Sequence, residues 1–390
     1  MHNLSAKTIF FFAILVLLAA ISSACSDRSP AGEQGVGEAT LPRSVATSQP
    51  AQPTSPPPEN NLEPTAIPPT PTLPPTGMSR SNPYPRSEVV SVPGWEVQVL
   101  EVIRGEQAWS LIQSANMFNK PAPEGMEYLL VKLRAKSTST DDPEPRIQTG
   151  IYRVTGDRLI EYFQGSAVPP SPTFDPVLEG RSFSGGETEG WIVYLIGKNE
   201  GNLIFLIGEP YGYGHKNKTF IQLEDGASIR VNPDLQTIQP NDLGKDRNNP
   251  ATISQKVITQ DWEITVLEVV RGEPAFAMVK EADELNNPPP SEGREYLAVK
   301  MRLRYIGSGD EAVSFEKYAY CATIGDKGQL YVPPTTNDPK PELWVTLYPG
   351  GEFEGWVVME AAVGETGLKL IFDPISDTSG ENRRYLSLEN

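Results

Sequence analysis

The chain has 390 residues, 38 of them proline, a formal charge of −17 and two cysteines. Charge of this sign disfavours nucleic acid and anionic headgroups as partners, and two cysteines are too few for a disulfide framework. The length allows two or three domains, each able to build its own core.

The first 25 residues read as an export signal. Lys7 precedes Ile9–Ile21, thirteen apolar residues, too short to span a ~30 Å hydrocarbon core but fitting the apolar region of a secretory leader. Ser22-Ser23-Ala24-Cys25 closes the segment. Small residues directly before a cysteine resemble the lipobox of bacterial lipoproteins, in which the cysteine is diacylated (palmitate-type chains) and becomes the new N-terminus. Ser22 stands where leucine is usual. The resemblance implies lipid attachment at Cys25 and a membrane partner held without spanning. The competing reading is ordinary leader cleavage near Ala24.

From Ser26 to Pro85 there are fifteen prolines, mixed with Ser, Thr, Gly and Gln, and Tyr84 is the lone aromatic. Such a stretch cannot bury enough apolar surface to offset its ordering entropy. It is expected to be a disordered tether over residues 26–86, extended where prolines adjoin.

The rest of the chain is duplicated. Trp95–Glu106 returns at Trp262–Glu273 with nine of twelve positions identical, Glu124–Arg134 returns at Glu292–Arg302, and Gly185–Trp191 at Gly350–Trp356. Offsets of 165 to 168 residues mark a duplicated domain, not a short solenoid repeat. Leu129, Val131, Leu133 and Ala135 alternate with Tyr128, Leu130, Lys132 and Arg134, which predicts a strand with one face on a core and the other largely in water. Trp95, Val97 and Val99 make a second such face, matched by Trp262, Ile264 and Val266. Further strands are predicted at 150–154, 191–196, 203–207, 220–223, 315–324, 356–359, 368–372 and 385–388, with short helical pieces at 108–116 and 276–285. Gly-Asp and Gly-Gly turns divide them.

This pattern predicts an all-β fold: two tandem antiparallel immunoglobulin-like β-sandwiches, at 87–227 and 252–390, joined by a linker at 228–251. The order of a Trp-bearing strand, Glu-Gly-x-Glu-Tyr-Leu-x-Val-Lys and Gly-Gly-Glu-x-Glu-Gly-Trp resembles the bacterial extracellular immunoglobulin-like family typified by the mycobacterial secreted immunoprotective antigen, with the related lipoprotein domains of unknown function. The resemblance implies a fold, not an activity.

No catalytic set emerges. His2 falls in the leader, His215 has no Gly-x-Ser-x-Gly elbow before it, and Cys321 sits in a strand-like run as a small buried hydrophobe. No zinc spacing exists, and no cofactor or metal is expected, Asp141–Glu144 being the nearest thing to a calcium loop. Glu187 and Glu189 recur as Glu352 and Glu354 on what reads as a hairpin entry. Glu101 and Arg104 recur as Glu268 and Arg271, with Glu101 either at a bulge or partnered by Arg104 or Lys132. Tyr211 and Tyr213, on a glycine-rich loop of the first copy, offer adaptable contact area. The reading is a non-catalytic surface lipoprotein presenting two modules to an extracellular protein or glycan, with no nucleic-acid partner. Ligand-loop candidates are Tyr211, Tyr213, Glu187, Glu189, Glu352 and Glu354. A structural envelope scaffold and an acid-pair glycoside hydrolase are the alternatives.

Overall fold

The computed structural model describes residues 74–138, 151–174, 184–208, 218–226 and 233–389, within one compact unit, Thr70–Asn390. Cys25, the tether up to residue 73, Asp141–Glu144, Tyr211, Tyr213 and His215 lie outside the described residues.

The first copy supplies β1 (Val90–Val92), β2 (Trp95–Arg104), helix α1 (Gly105–Ala115), β3 (Met126–Ser137), β4 (Ile151–Thr155), β5 (Ile160–Glu161), β6 (Glu187–Gly197), β7 (Ile204–Gly208) and β8 (Thr219–Gln222). Its two antiparallel sheets have the orders β1-β2-β3-β6 and β4-β7-β8. Strands β2, β3 and β6 stand where A, B and E stand in an immunoglobulin sandwich, and β4, β7 and β8 where C, F and G stand. The second copy repeats this with β9 (Val257–Ile258), β10 (Trp262–Arg271), α2 (Glu273–Ala282), β11 (Arg294–Tyr305), β12 (Val313–Phe315), α3 (Lys317–Tyr320), β13 (Cys321–Ile324), β14 (Leu330–Tyr331), β15 (Val345–Leu347), β16 (Glu352–Ala362), β17 (Lys369–Phe372) and β18 (Arg384–Ser387). Here the sheets run β9-β10-β11-β16 and β14-β13-β17-β18. The fold is an all-β sandwich, made twice.

Each repeated motif has a structural task. Trp95, Val97 and Val99 are buried, as are Trp262, Ile264 and Val266. The strand then bulges, between Val99 and Glu101 and again between Val266 and Glu268, and Glu101 turns out to solvent. The bulge explains why the face of β2 changes there. Gly105 and Gly272 follow with φ of 65° and 70°, a conformation that lets a strand pass directly into a helix and that side-chain-bearing residues rarely adopt.

Those helices revise one expectation. The outer face of β3 was expected in water, yet Tyr128 and Leu130 are buried there with Ile103, Ala108, Ile112, Trp191 and Val193. Tyr296, Ala298, Trp356 and Val358 are buried likewise against Ala275 and Val279. Half of the outer face is therefore a second small core, roofed by α1 or α2. Period-2 alternation could not show this because the roof comes from a neighbouring segment. The predicted strand 315–324 is also interrupted: α3 replaces its middle, fixed by a buried Lys317 Nζ to Asp338 Oδ1 pair at 2.5 Å.

Two further differences concern the chain ends of the first copy. Tyr84, assigned by composition to the tether, bonds to the sheet: its N–H donates to the Phe220 carbonyl at 2.8 Å, and Gln222 N–H donates to the Tyr84 carbonyl at 2.8 Å. In the linker, Ala251 N–H donates to the Tyr385 carbonyl at 2.9 Å and Ser387 N–H to the Ala251 carbonyl at 2.7 Å. Its last residues thus belong to the edge of the second copy.

The two copies share a sheet. β15 lies between β12 and β5, with Thr346 opposite Glu161 and Leu347 opposite Ile160. Beneath it Leu159, Ile204, Leu206 and Phe220 of the first copy pack with Ala312 and Tyr348 of the second. Lys218 Nζ lies 3.2 Å from Glu161 Oε1, and the Tyr348 hydroxyl donates to the same oxygen at 2.8 Å. The side chains of this ion pair are 3% and 2% exposed.

Two outcomes follow from this packing. A Cβ on Gly190 would fall 2.2 Å from the backbone nitrogen of Phe174, whereas one on Gly125 meets nothing within 4 Å. Thermal denaturation of Gly190→Ala should show a loss of about 3 kcal/mol, against about 1 kcal/mol for Gly125→Ala, where only the positive φ resists. Glu161→Gln leaves the Lys218 ammonium buried without its counter-charge, at a cost of about 3 kcal/mol. Calorimetry should show one transition in the native chain and two in this variant.

Candidate functional site

The repeated ionic residues form networks that the spacing alone did not reveal. Arg104 pairs with Glu127 at 2.5 Å and Glu224 at 3.2 Å, and its counterpart Arg271 with Glu295 at 2.7 Å and Glu389 at 3.7 Å. Glu101 is not the partner; it sits at the bulge. A second duplicated feature surrounds the Gly-Asp turns. Glu200, 2% exposed, accepts from Arg158 N–H at 2.7 Å and from the Tyr162 hydroxyl at 2.8 Å. Glu365 accepts in the same way from Lys327 N–H, at 3.2 Å, and from the Tyr331 hydroxyl. These carboxylates are satisfied internally and pin the turns.

Glu187 and Glu189 lie on β6, and Glu352 and Glu354 on β16, on strands and not on loops. Glu189 lies 3.5 Å from Lys132 Nζ. Arg302 reaches both acids of the second copy, its Nε donating to Glu354 Oε1 at 2.6 Å and lying 3.9 Å from Glu352 Oε1. An arginine therefore sits between the like charges of that copy. Such pairs, on an open strand face, contribute little to stability.

A concave site among the described residues lies elsewhere, at one end of the second sandwich. A cleft of about 300 Å³ has Trp262, Tyr305 and Tyr320 on its floor and Asp261, Ser376, Asp377, Ser379 and Asn382 around its rim. Three elements converge to make it. β10 begins at Trp262 and β11 ends at Tyr305, which face each other across the ladder, with ring centroids 5.1 Å apart. The turn α3 swings the Tyr320 ring to 5.6 Å from Trp262, nearly edge-on. The wall is the β17–β18 loop, docked by Asp373 N–H on the Tyr320 carbonyl at 2.8 Å and Ile375 N–H on the Ala319 carbonyl at 2.9 Å.

Asp377 organises that wall. Its Oδ1 accepts from Ser379 N–H at 2.9 Å, the Ser379 hydroxyl at 2.6 Å and Gly380 N–H at 3.1 Å, and its Oδ2 from Asn382 N–H at 2.8 Å. The Ser379 hydroxyl first, with these amides, holds the Asp377 carboxyl down at about 2. Asn382 then grips Asp261, accepting from its N–H at 3.0 Å and donating to its Oδ2 at 2.8 Å. Asp261 Oδ1 and the hydroxyls of Tyr305 and Tyr320 have no hydrogen-bond partner among the described residues. Those tyrosines are 9% and 7% exposed. Burial raises the pKa of both hydroxyls and the Asp261 charge adds to the effect, so both stay protonated at neutral pH.

Of the cleft residues the sequence reading singled out Trp262, as part of a repeated inward face and not as a site residue, and none of the glutamate candidates lines the cleft. A signal was available. Trp262 is preceded by Asp261 and paired with Tyr305, whereas Trp95 is preceded by Gly94 and paired with Ser137, so the cleft residues are differences between the copies. The cleft wall is also the counterpart of the β7–β8 loop that carries Tyr211 and Tyr213, which lie outside the described residues. Among the described residues no three His, Cys, Asp or Glu side chains converge as a metal ion needs. Cys321 is buried and burial pushes its thiol up to about 12, which suits a packed hydrophobe and not a nucleophile.

No family model matches the chain, and no curated protein does. Three solved structures are similar to parts of it. One is ycdA of Bacillus subtilis subsp. subtilis str. 168, described as a candidate lipoprotein, with 10% identity over 34% of this chain and 37% of that one, TM-score 0.27. Another is yjhA of Bacillus subtilis, with 13% identity over 36% of this chain and 99% of that one, TM-score 0.25. The third is an uncharacterized β-sandwich protein of Clostridium difficile 630, with 13% identity over 36% and 95%, TM-score 0.24. The chain thus spans little more than a third of the length of ycdA. Overlaps this slight leave fold and site to be argued from the chain's own geometry.

Asp377→Ala should release the wall without unfolding the sandwich. Amide hydrogen exchange should quicken at Ser379, Gly380 and Asn382, while the melting temperature moves by only a degree or two. The native chain should show the same loosening as the pH falls from ~4 toward 2. The folded carboxyl sits below its unfolded value of 3.8, so its contribution is present above that value and is lost as pH drops through the folded one.

Proposed function

We propose that the chain is an exported surface lipoprotein, anchored at Cys25 and lifted on a proline-rich stalk, whose two joined sandwiches form a non-catalytic binding module for an extracellular protein or glycan. The observation that carries this reading is the cleft, set among loops at one end of a sandwich, where such folds present ligand-binding loops. The leader with its lipobox-like ending supports the address, and the resemblance to secreted immunoglobulin-like antigens supports the setting. The shared sheet gives the module rigidity, which favours binding by lowering the ordering cost. The pairing of Glu189 and Glu354 with basic neighbours favours a structural use of those acids over acid catalysis.

A scaffold role is the second reading, and one surface favours it. Asn119 donates to the Val168 carbonyl and accepts from Val168 N–H, both at 2.9 Å. This exchange ties the segment of Met117 and Phe118 to that of Val168, three residues exposed by 84%, 82% and 45%. Exposed apolar side chains gathered in this way suit a protein contact.

The test uses the full chain carrying Cys25→Ser as bait against envelope extracts and a glycan array, with and without calcium. A saturable partner lost on Asp377→Ala is expected. Absence of any partner under all conditions would transfer the case to the scaffold. The same variant should leave the membrane fraction after a salt wash, and its retention there would refute the lipid anchor.

A further inference from the structure

We propose that the cleft of the second copy receives a primary ammonium group, seated on Asp261 Oδ1 and on the hydroxyls of Tyr305 and Tyr320 above the Trp262 ring. The assignment rests on the binding-module reading and names the chemistry of its ligand. It begins from what the cleft leaves unsatisfied. Asp377 spends both oxygens on its own loop, and Asp261 spends Oδ2 on Asn382. That leaves one carboxylate oxygen and two hydroxyls without protein partners among the described residues, on side chains that line one space. None of the three atoms is sealed from solvent, so they stand open to a ligand that brings hydrogen-bond donors.

The charge balance narrows its class. No lysine, arginine or histidine lines the cleft; Arg383 feels Asp377 but is paired with Asp373 outside the cleft lining. An anion would meet uncompensated negative charge. A neutral polyol could bond to the hydroxyls but would leave the Asp261 charge unanswered in a partly buried setting. A quaternary ammonium would answer the charge but carries no N–H for the three acceptors. A primary ammonium has three donors and one positive charge, and an aromatic floor adds to its attraction. The volume of about 300 Å³ suits one amino sugar or one amine-bearing side chain, and lies at the small end of ligand pockets. Gly94 and Ser137 stand in the first copy where Asp261 and Tyr305 stand in the second, so one end of one sandwich carries the function.

The experiment titrates the full chain by calorimetry with glucosamine, glucose and glucuronate, which share a ring and differ in one group, and with Nα-acetyl-lysine amide as a non-sugar amine. Glucosamine should bind at least about tenfold more tightly than glucose, with glucuronate silent. Binding of the lysine probe at similar strength would assign the amine alone, and its failure beside glucosamine would assign an amino sugar. Asp261→Asn should bring glucosamine down to the level of glucose, and the Tyr305→Phe/Tyr320→Phe pair should weaken every amine about tenfold with the melting temperature held. Equal binding of glucose and glucosamine, or glucosamine binding untouched by Asp261→Asn, would overturn the assignment. Should both sugars bind alike and both be lost on Asp377→Ala, the ammonium falls while the binding module stands. If no probe binds and the envelope extracts yield no partner, both fall together.

Discussion

The buried pair of Lys218 and Glu161, capped by the Tyr348 hydroxyl, is the interaction on which the architecture turns. Two charges removed from water are tolerated only where each is answered, and the answers come from both copies of the duplicated unit. Lys218 directly precedes β8 and Glu161 ends β5 in the first copy, and Tyr348 follows β15 in the second. Their meeting fixes β5 against β15 in a sheet neither copy could complete alone. Arg80 and Ser81 tie the entering chain to the same region, through the Gly156 carbonyl and the Asp310 carboxylate. A duplicated chain with a linker could have been two beads on a string; this one is a single body.

Within each copy the recurrent constraint is a strand buried on both faces. β3 and β11 take the opposing sheet on one side and a helix on the other, which is why Tyr128, Leu130, Tyr296 and Ala298 interrupt an otherwise clean alternation. The helix can roof the strand because a glycine of positive φ follows the arginine of β2 or β10. That arginine then locks the corner through two glutamates. Bulge, arginine and glycine form one device for turning a strand into a roof, which accounts for their joint survival in both copies.

The proposed function rides on what the copies do not share. The first copy keeps Gly94 and Ser137 at the end of its Trp-bearing strand pair, and the second has Asp261 and Tyr305. With α3 carrying Tyr320 inward, the second copy gains a cleft whose idle polar groups have one acidic charge among them. The rigid joint holds this cleft at a fixed place on a larger surface, which suits the binding module proposed for it.

The sequence by itself determined the all-β class, the duplication, most strand positions and the identity of the inward faces. These are written in local periodicity and in recurrence, both properties of residues near one another along the chain. Even the Arg-Gly-Glu corner was visible as a repeat, although its meaning was not, since Glu127 and Glu224 lie 23 and 120 residues from Arg104. Only the tertiary structure decided that half the outer face is covered, that Tyr84 belongs to a sheet, that Glu161 and Tyr348 join across 187 residues, and that Asp261, Tyr305 and Tyr320 share one cleft. Each of these depends on which distant groups are left without partners once the chain has closed, and no local pattern carries that.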